Sequence, residues 1–164
     1  MTAQAADSLV YHGECLGLCE ELLAPYFELL GEKPQFVART TALWRGYIAE
    51  WEILDDRLYL VGLRVWVKGY KEVGLSYLFP DNPDRVFAYW VSGAKRATAG
   101  KQLRYVHGGF GSIYERDLYL DFSMGVLSRV VTKQNDAKDL GTSPDLVGMK
   151  GQIFAQMVRD RRSQ

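Results

Sequence analysis

Residues 39–67 and 86–132 contain none of the five prolines, which fall at positions 25, 34, 80, 83 and 144, and both tracts carry apolar side chains at alternating positions. Proline cannot donate to a ladder hydrogen bond, and a period of two places successive side chains on opposite faces of a sheet. Together these features predict β-structure through both tracts.

The first tract predicts a hairpin. From Arg39 to Ile53, Leu43, Tyr47, Ala49, Trp51 and Ile53 share one parity, and Glu50 and Glu52 share the other. Asp55 and Asp56 tolerate turn geometry, and Leu58 to Val67 is again aromatic and β-branched. With the two aspartates as the loop, Trp51 faces Leu60, Tyr47 faces Arg64 and Arg45 faces Trp66. Residues 68–85, with the cluster Pro80-Asp81-Asn82-Pro83, read as a long connecting loop. Strands return in VFAYWVSG, KQLRYVHG, SIYERDLYLDF and VLSRVVT, a meander. A reversal at His107 to Gly111 sets Arg104 opposite Glu115 and Tyr105 opposite Tyr114.

Helices are expected at both ends. Val10, Leu16, Cys19 and Leu23 suit one helical stripe within residues 7–23, with Asp7 or Ser8 as N-cap. Ser143 and Pro144 open a second helix over about 144–161, where Leu146, Met149, Ile153 and Met157 recur at helical spacing. The expected fold is mainly β with some α: an antiparallel sheet or partly closed barrel built from hairpins, with an N-terminal and a C-terminal helix. The 164 residues suit a single domain, 1–164, with a β core at about 36–132.

Composition narrows the function classes. Twenty basic residues balance twenty acidic ones, so the positive excess of a nucleic-acid binder is missing. No apolar run approaches the roughly 20 residues of a membrane helix, and the first residues lack a secretory pattern, so a cytoplasmic location with no membrane partner is expected.

Four groups of residues invite a chemical reading. Trp44, Arg45 and Tyr47, with Arg64 and Trp66 on the same expected face, combine guanidiniums and rings that could grip an anion. The plainer account is arginine stacked on ring faces at a sheet rim, worth about 0.5–2 kcal/mol. HGGFGSIYE places His107 in a glycine-rich turn near Glu115, a pairing suited to acid–base work, although a sharp reversal needs the same glycines. No Lys-Ser or Lys-Thr follows that turn and no G-x-S-x-G elbow occurs, so neither a phosphate loop nor a serine-hydrolase site is read. His12, Cys15 and Cys19 fall on one stripe of the expected helix, but a closed zinc site needs four ligands, so no metal and no cofactor are expected. Glu50 with Glu52, and Glu115 with Asp117 and Asp121, share strand faces, the ordinary arrangement of a solvated side.

The ordered blocks TTALWRGYIAEWEI, DDRLYLVGL, VFAYWVSG and LRYVHGGFGSIYERDLYL resemble a family of small uncharacterised bacterial proteins over about residues 36–131. The resemblance implies domain limits and carries no activity, cofactor or catalytic residue onto these positions. Small bacterial domains of this kind often serve as accessory or antitoxin-like partners, an analogy of class.

The leading expectation is therefore a protein-binding accessory module, an immunity-type neutraliser of a bacterial toxin in its sharpest form. The alternative is a small-molecule-binding β-domain or enzyme with a site formed by Arg45, Tyr47, Trp90, His107 and Glu115.

Overall fold

A computed structural model describes residues 2–136. In chain order the elements are β1 (Asp7–Tyr11), β2 (Glu14–Leu18), α1 (Ala24–Leu30), β3 (Tyr47–Leu54), β4 (Arg57–Val67), β5 (Lys71–Val73), β6 (Val86–Phe87), β7 (Gly93–Arg104), β8 (Ile113–Ser123) and β9 (Val126–Gln134). The expected C-terminal helix lies outside the described residues.

The sheet is mixed and mostly antiparallel. Its strands run in the order β3-β1-β2-β7-β8-β9-β4, and β4 pairs again with β3, so the path returns on itself. β1 lies parallel to β3, with Leu9 beside Trp51, while the other strand pairings are antiparallel. The seam between β4 and β9 is thin. It consists of the pair Arg57–Val126, flanked by hydrogen bonds from Leu58 N–H to Gly125 O and from Leu127 N–H to Asp56 O. β5 and β6 are short additions to the edge of β4.

Alternation explains the ring's interior. Leu9, Leu18, Ala49, Trp51, Leu58, Leu60, Ala97 and Leu120 are fully buried, and each large aliphatic chain among them contributes about 1.5–3 kcal/mol. A ring this size is filled by its own side chains. Helix α1 lies where β1 and β3 begin, with Phe27 against Tyr47 and Phe36. Pro25 falls in its first turn, where no N–H is needed, and left-handed Gly31 ends it by donating to Glu28 O.

Four expectations are corrected. The helix over residues 7–23 is instead the hairpin β1–β2, reversed at His12 and Gly13, both with positive φ. Leu9, Leu16 and Leu18 obey period two as well as the helical stripe does, and pairing with β3 and β7 decides between the readings. The strand expected from Arg39 begins only at Tyr47, after a 3-10 turn at Thr41–Leu43 and a left-handed Gly46. The expected long loop contains β5 and a second 3-10 turn at Leu75–Tyr77, and VFAYWVSG is strand at Val86–Phe87 and again at Gly93, where β7 begins, but not between them.

Register is the fourth correction. The Asp55–Asp56 reversal and the Trp51–Leu60 pair form as expected, but Val61 is an extra residue, so Glu50 pairs with Gly62 and Tyr47 with Val65. This bulge turns Arg64 outward and Val65 inward. In the β7–β8 hairpin, irregularities between Ala99, Gln102 and Arg104 bring Arg104 opposite Ile113 rather than Glu115, and Gln102 opposite Tyr114.

Candidate functional site

The site begins with Asp7. It heads β1 on the same parity as Leu9, so the pleat sends its carboxylate toward the core. There Asp7 Oδ1 accepts from Arg45 Nη2 at 2.6 Å and from the Ala49 N–H at 2.9 Å, and Oδ2 accepts from Trp51 Nε1 at 3.4 Å. Burial pushes the Asp7 carboxyl above its ordinary value, against the charge of Arg45 and these hydrogen bonds.

Arg45 is delivered by its glycine neighbour. Gly46 adopts φ +75°, and a Cβ there would stand 2.5 Å from Phe36 Cβ, so only glycine allows the chain to pass this close. That bend turns the Arg45 side chain inward until only 2% of it is accessible. Its guanidinium lies 5.3 Å from the Tyr47 ring centre. Asp7 satisfies one end of the guanidinium, whereas Arg45 Nε and Nη1 and the Tyr47 hydroxyl are buried without hydrogen-bond partners. Burial, then the charges of Asp7 and Glu21, push the Tyr47 hydroxyl far above its ordinary range, so it stays protonated and can donate.

These groups border a pocket of about 490 Å³ between α1 and the start of β3. Phe27 and Ala24 supply its apolar wall, and Glu21, Glu28, Glu32 and Lys33 stand around it, exposed. None of the ion pairs among the described residues uses these four side chains. The arrangement presents donors without acceptors at the protein side and carboxylates at the solvent side. It suits recognition of an acceptor-bearing molecule.

Of the eight residues singled out in the sequence, this pocket brings together Arg45 and Tyr47. Trp44 is 68% exposed. Arg64 lies on the outer face, where its Nε donates to Glu72 Oε1 and its guanidinium stands 5.5 Å from the buried ring of Trp66. Trp90 is a core residue that donates from Nε1 to Leu22 O and stacks on Phe79. His107 is exposed and hydrogen-bonds through Nδ1 with Tyr105 Oη, and Glu115 lies across from Gly100. His107, Glu115 and Trp90 do not line the pocket that holds Arg45 and Tyr47.

A second groove, of about 460 Å³, opens between β2 and β7, whose pairing is confined to Gly17–Thr98 and Leu18–Ala97. Cys15 and Cys19 line it from the hairpin rather than from a helix, with Tyr105, Phe110 and Tyr114 opposite. Among the described residues, no three His, Cys, Asp or Glu side chains are grouped to hold a metal ion, and no helix is long and apolar enough to cross a membrane.

Sequence reading missed Asp7, Glu21, Phe27, Glu28 and Glu32. The available signal was the parity of DSLVY, which sets an acid in line with Leu9 once the segment is read as a strand. No protein family, curated protein or solved structure matches this chain, so the likeness noted in the sequence blocks gains no further support.

Proposed function

We propose that this protein is a small-molecule-binding β-domain that captures a hydrogen-bond acceptor group at Arg45 and Tyr47. The observation behind this reading is the set of three buried donors without partners beside an open pocket. Each buried polar group left unpaired costs about 1–3 kcal/mol, and an acceptor at these donors would relieve that cost. Titration of the protein with a panel of small carboxylates and carbonyl compounds, followed by calorimetry, tests it. The expected result is saturable binding that Arg45→Met abolishes; binding unaffected by Arg45→Met would reject the site.

A second reading is a protein-binding accessory module, immunity-type in its sharpest form, and one local arrangement favours it. Gln4 Oε1 accepts from the Trp44 N–H while the Gln4 N–H donates to Gly109 O, so exposed Trp44 and the loop carrying exposed Tyr105 flank the same N-terminal segment. Exposed aromatics of this type are enriched at interfaces. Repeated capture of one host polypeptide, lost with Trp44→Ala, is the supporting result; equal capture by Trp44→Ala counts against it.

A further inference from the structure

We infer that the groove bounded by β2, β7 and the 105–112 loop is a second binding site, and that its ligand is an uncharged carbohydrate. The inference goes beyond the pocket beneath α1, and the two linings share no residue.

Small side chains keep the groove open. Leu16, Leu18, Ala97 and Ala99 point to the core, so Gly17 and Thr98 face outward. A Cβ on Gly17 would stand 3.2 Å from Thr98 Oγ1 and 3.5 Å from Ala6 Cβ, so these three residues meet on the outer face and form the floor. Tyr105, Phe110 and Tyr114 add aromatic rings to the lining, and Tyr105 is 56% exposed. The volume of about 460 Å³ falls within the range usual for small-ligand sites.

Charge separates this groove from the pocket beneath α1, which Glu21, Glu28, Glu32 and Lys33 border. Among the described residues lining the groove, Asp7 alone is charged. Its carboxylate is turned to the inner side, where Arg45, the Ala49 N–H and Trp51 Nε1 hold it. An ion entering the groove would give up hydration with no counter-charge to replace it. A pure hydrocarbon fails for the opposite reason. It would cover the Ser8 hydroxyl and the Gln102 amide, whose Oε1 accepts from the Tyr114 hydroxyl at 3.3 Å, without replacing the water on their remaining donors. The molecule that fits is uncharged, has an apolar face for the rings and carries hydroxyls around its edge. A pyranose has this anatomy: its C–H face lies on the electron-rich face of an aromatic ring, and its hydroxyls both donate and accept.

Amide chemical-shift titration of the full chain, read at Gly17, Thr98, Gly100 and Gly109, tests the inference. The neutral probes are cellobiose, maltose, lactose and N,N′-diacetylchitobiose. Chitobiose and lactobionate are their cationic and anionic counterparts, and adenine is a flat uncharged ring without hydroxyls. At least one neutral disaccharide is expected to shift these amides saturably and to bind about tenfold more tightly than chitobiose, lactobionate or adenine. Tyr105→Ala should weaken that binding about fivefold by removing a ring, and Ala6→Phe should abolish it by filling the floor. Both positions are exposed, and unfolding midpoints close to the parent's are expected for both variants. The carbohydrate is overturned if the neutral sugars leave these amides unmoved, or if chitobiose, lactobionate or adenine binds as tightly. Tyr105→Ala binding like the parent would overturn it as well.

Discussion

Two arginine–aspartate pairs are buried among the described residues, Arg45 with Asp7 on the inner side of the ring and Arg96 with Asp117 on the outer side beneath the 105–112 loop. Their exposures are similar, 2% and 1% of the side chains in the first and 6% and 5% in the second. Their surroundings differ. Arg96 Nε donates to Asp117 Oδ1 at 3.0 Å and Nη1 to Phe110 O at 3.4 Å, and Asn135 Nδ2 donates to Asp117 Oδ2 at 2.8 Å. No nitrogen of Arg96 is both buried and unpartnered, while two nitrogens of Arg45 are. The outer pair ties a loop and the end of β9 to the sheet. The inner pair leaves two guanidinium nitrogens buried without partners in a residue that borders a pocket.

Removing the acids separates the pairs most strongly. Asp7→Ala strips the acceptor from Arg45, the Ala49 N–H and Trp51 Nε1 together, and is expected to destabilise the fold by about 3–5 kcal/mol in urea unfolding. Asp117→Ala should lose less, because Arg96 keeps the Phe110 carbonyl; equal losses would erase the distinction.

Gly46→Ala comes next. The left-handed backbone and the 2.5 Å approach to Phe36 predict a loss of about 1–3 kcal/mol, and Arg45 should be displaced from Asp7. The matching glycine of the outer region, Gly109, also has positive φ, but a Cβ there meets nothing within 4 Å, so Gly109→Ala should unfold closer to the parent midpoint.

Deleting a polar group should have opposite signs at the two pairs. Asn135→Ala removes hydrogen bonds to Asp117 and Tyr114 O and is expected to destabilise by about 0.5–1.5 kcal/mol. Tyr47→Phe removes a hydroxyl that has no partner, so the ligand-free protein should be unchanged or more stable, while acceptor affinity falls. A destabilised Tyr47→Phe would mean that the hydroxyl is satisfied in solution and would weaken the proposed site.

The smallest effect is in pH dependence. Because the Asp7 carboxyl is raised in the folded state, that state binds the extra proton between the ordinary value of 3.8 and the raised one. Stability contributed by this group is therefore full below 3.8 and is lost as pH rises through the folded value. The slope from one proton is at most about 1.4 kcal/mol per pH unit, and it should vanish in Asp7→Asn. A slope unchanged in that variant would assign it to another group.

Several of these features were legible as residues and others were not. Asp55 and Asp56 announce their turn, and both adopt positive φ there. Parity within β3 correctly separates Tyr47, Ala49, Trp51 and Ile53 from Glu50 and Glu52. The extra residue Val61 left no such mark, because a bulge changes which residues face each other without changing the composition of either strand. Arginines in WRGY and LRVW look alike in sequence, yet one is buried against Asp7 and the other pairs with Glu72 at the surface. Asp7 was equally ambiguous, since an acid before an apolar run is a reasonable N-cap as well as a strand residue.

Local periodicity and turn chemistry thus determined that this chain forms β-hairpins, because alternation and positive-φ residues act within a few positions of one another. Tertiary structure decided that residues 7–18 join the sheet, that β9 reaches β4, and that Asp7 meets Arg45 across 38 positions of sequence. Those outcomes depend on which distant strand offers a matching edge and on which buried charge finds a partner, and neither is a property of any single segment.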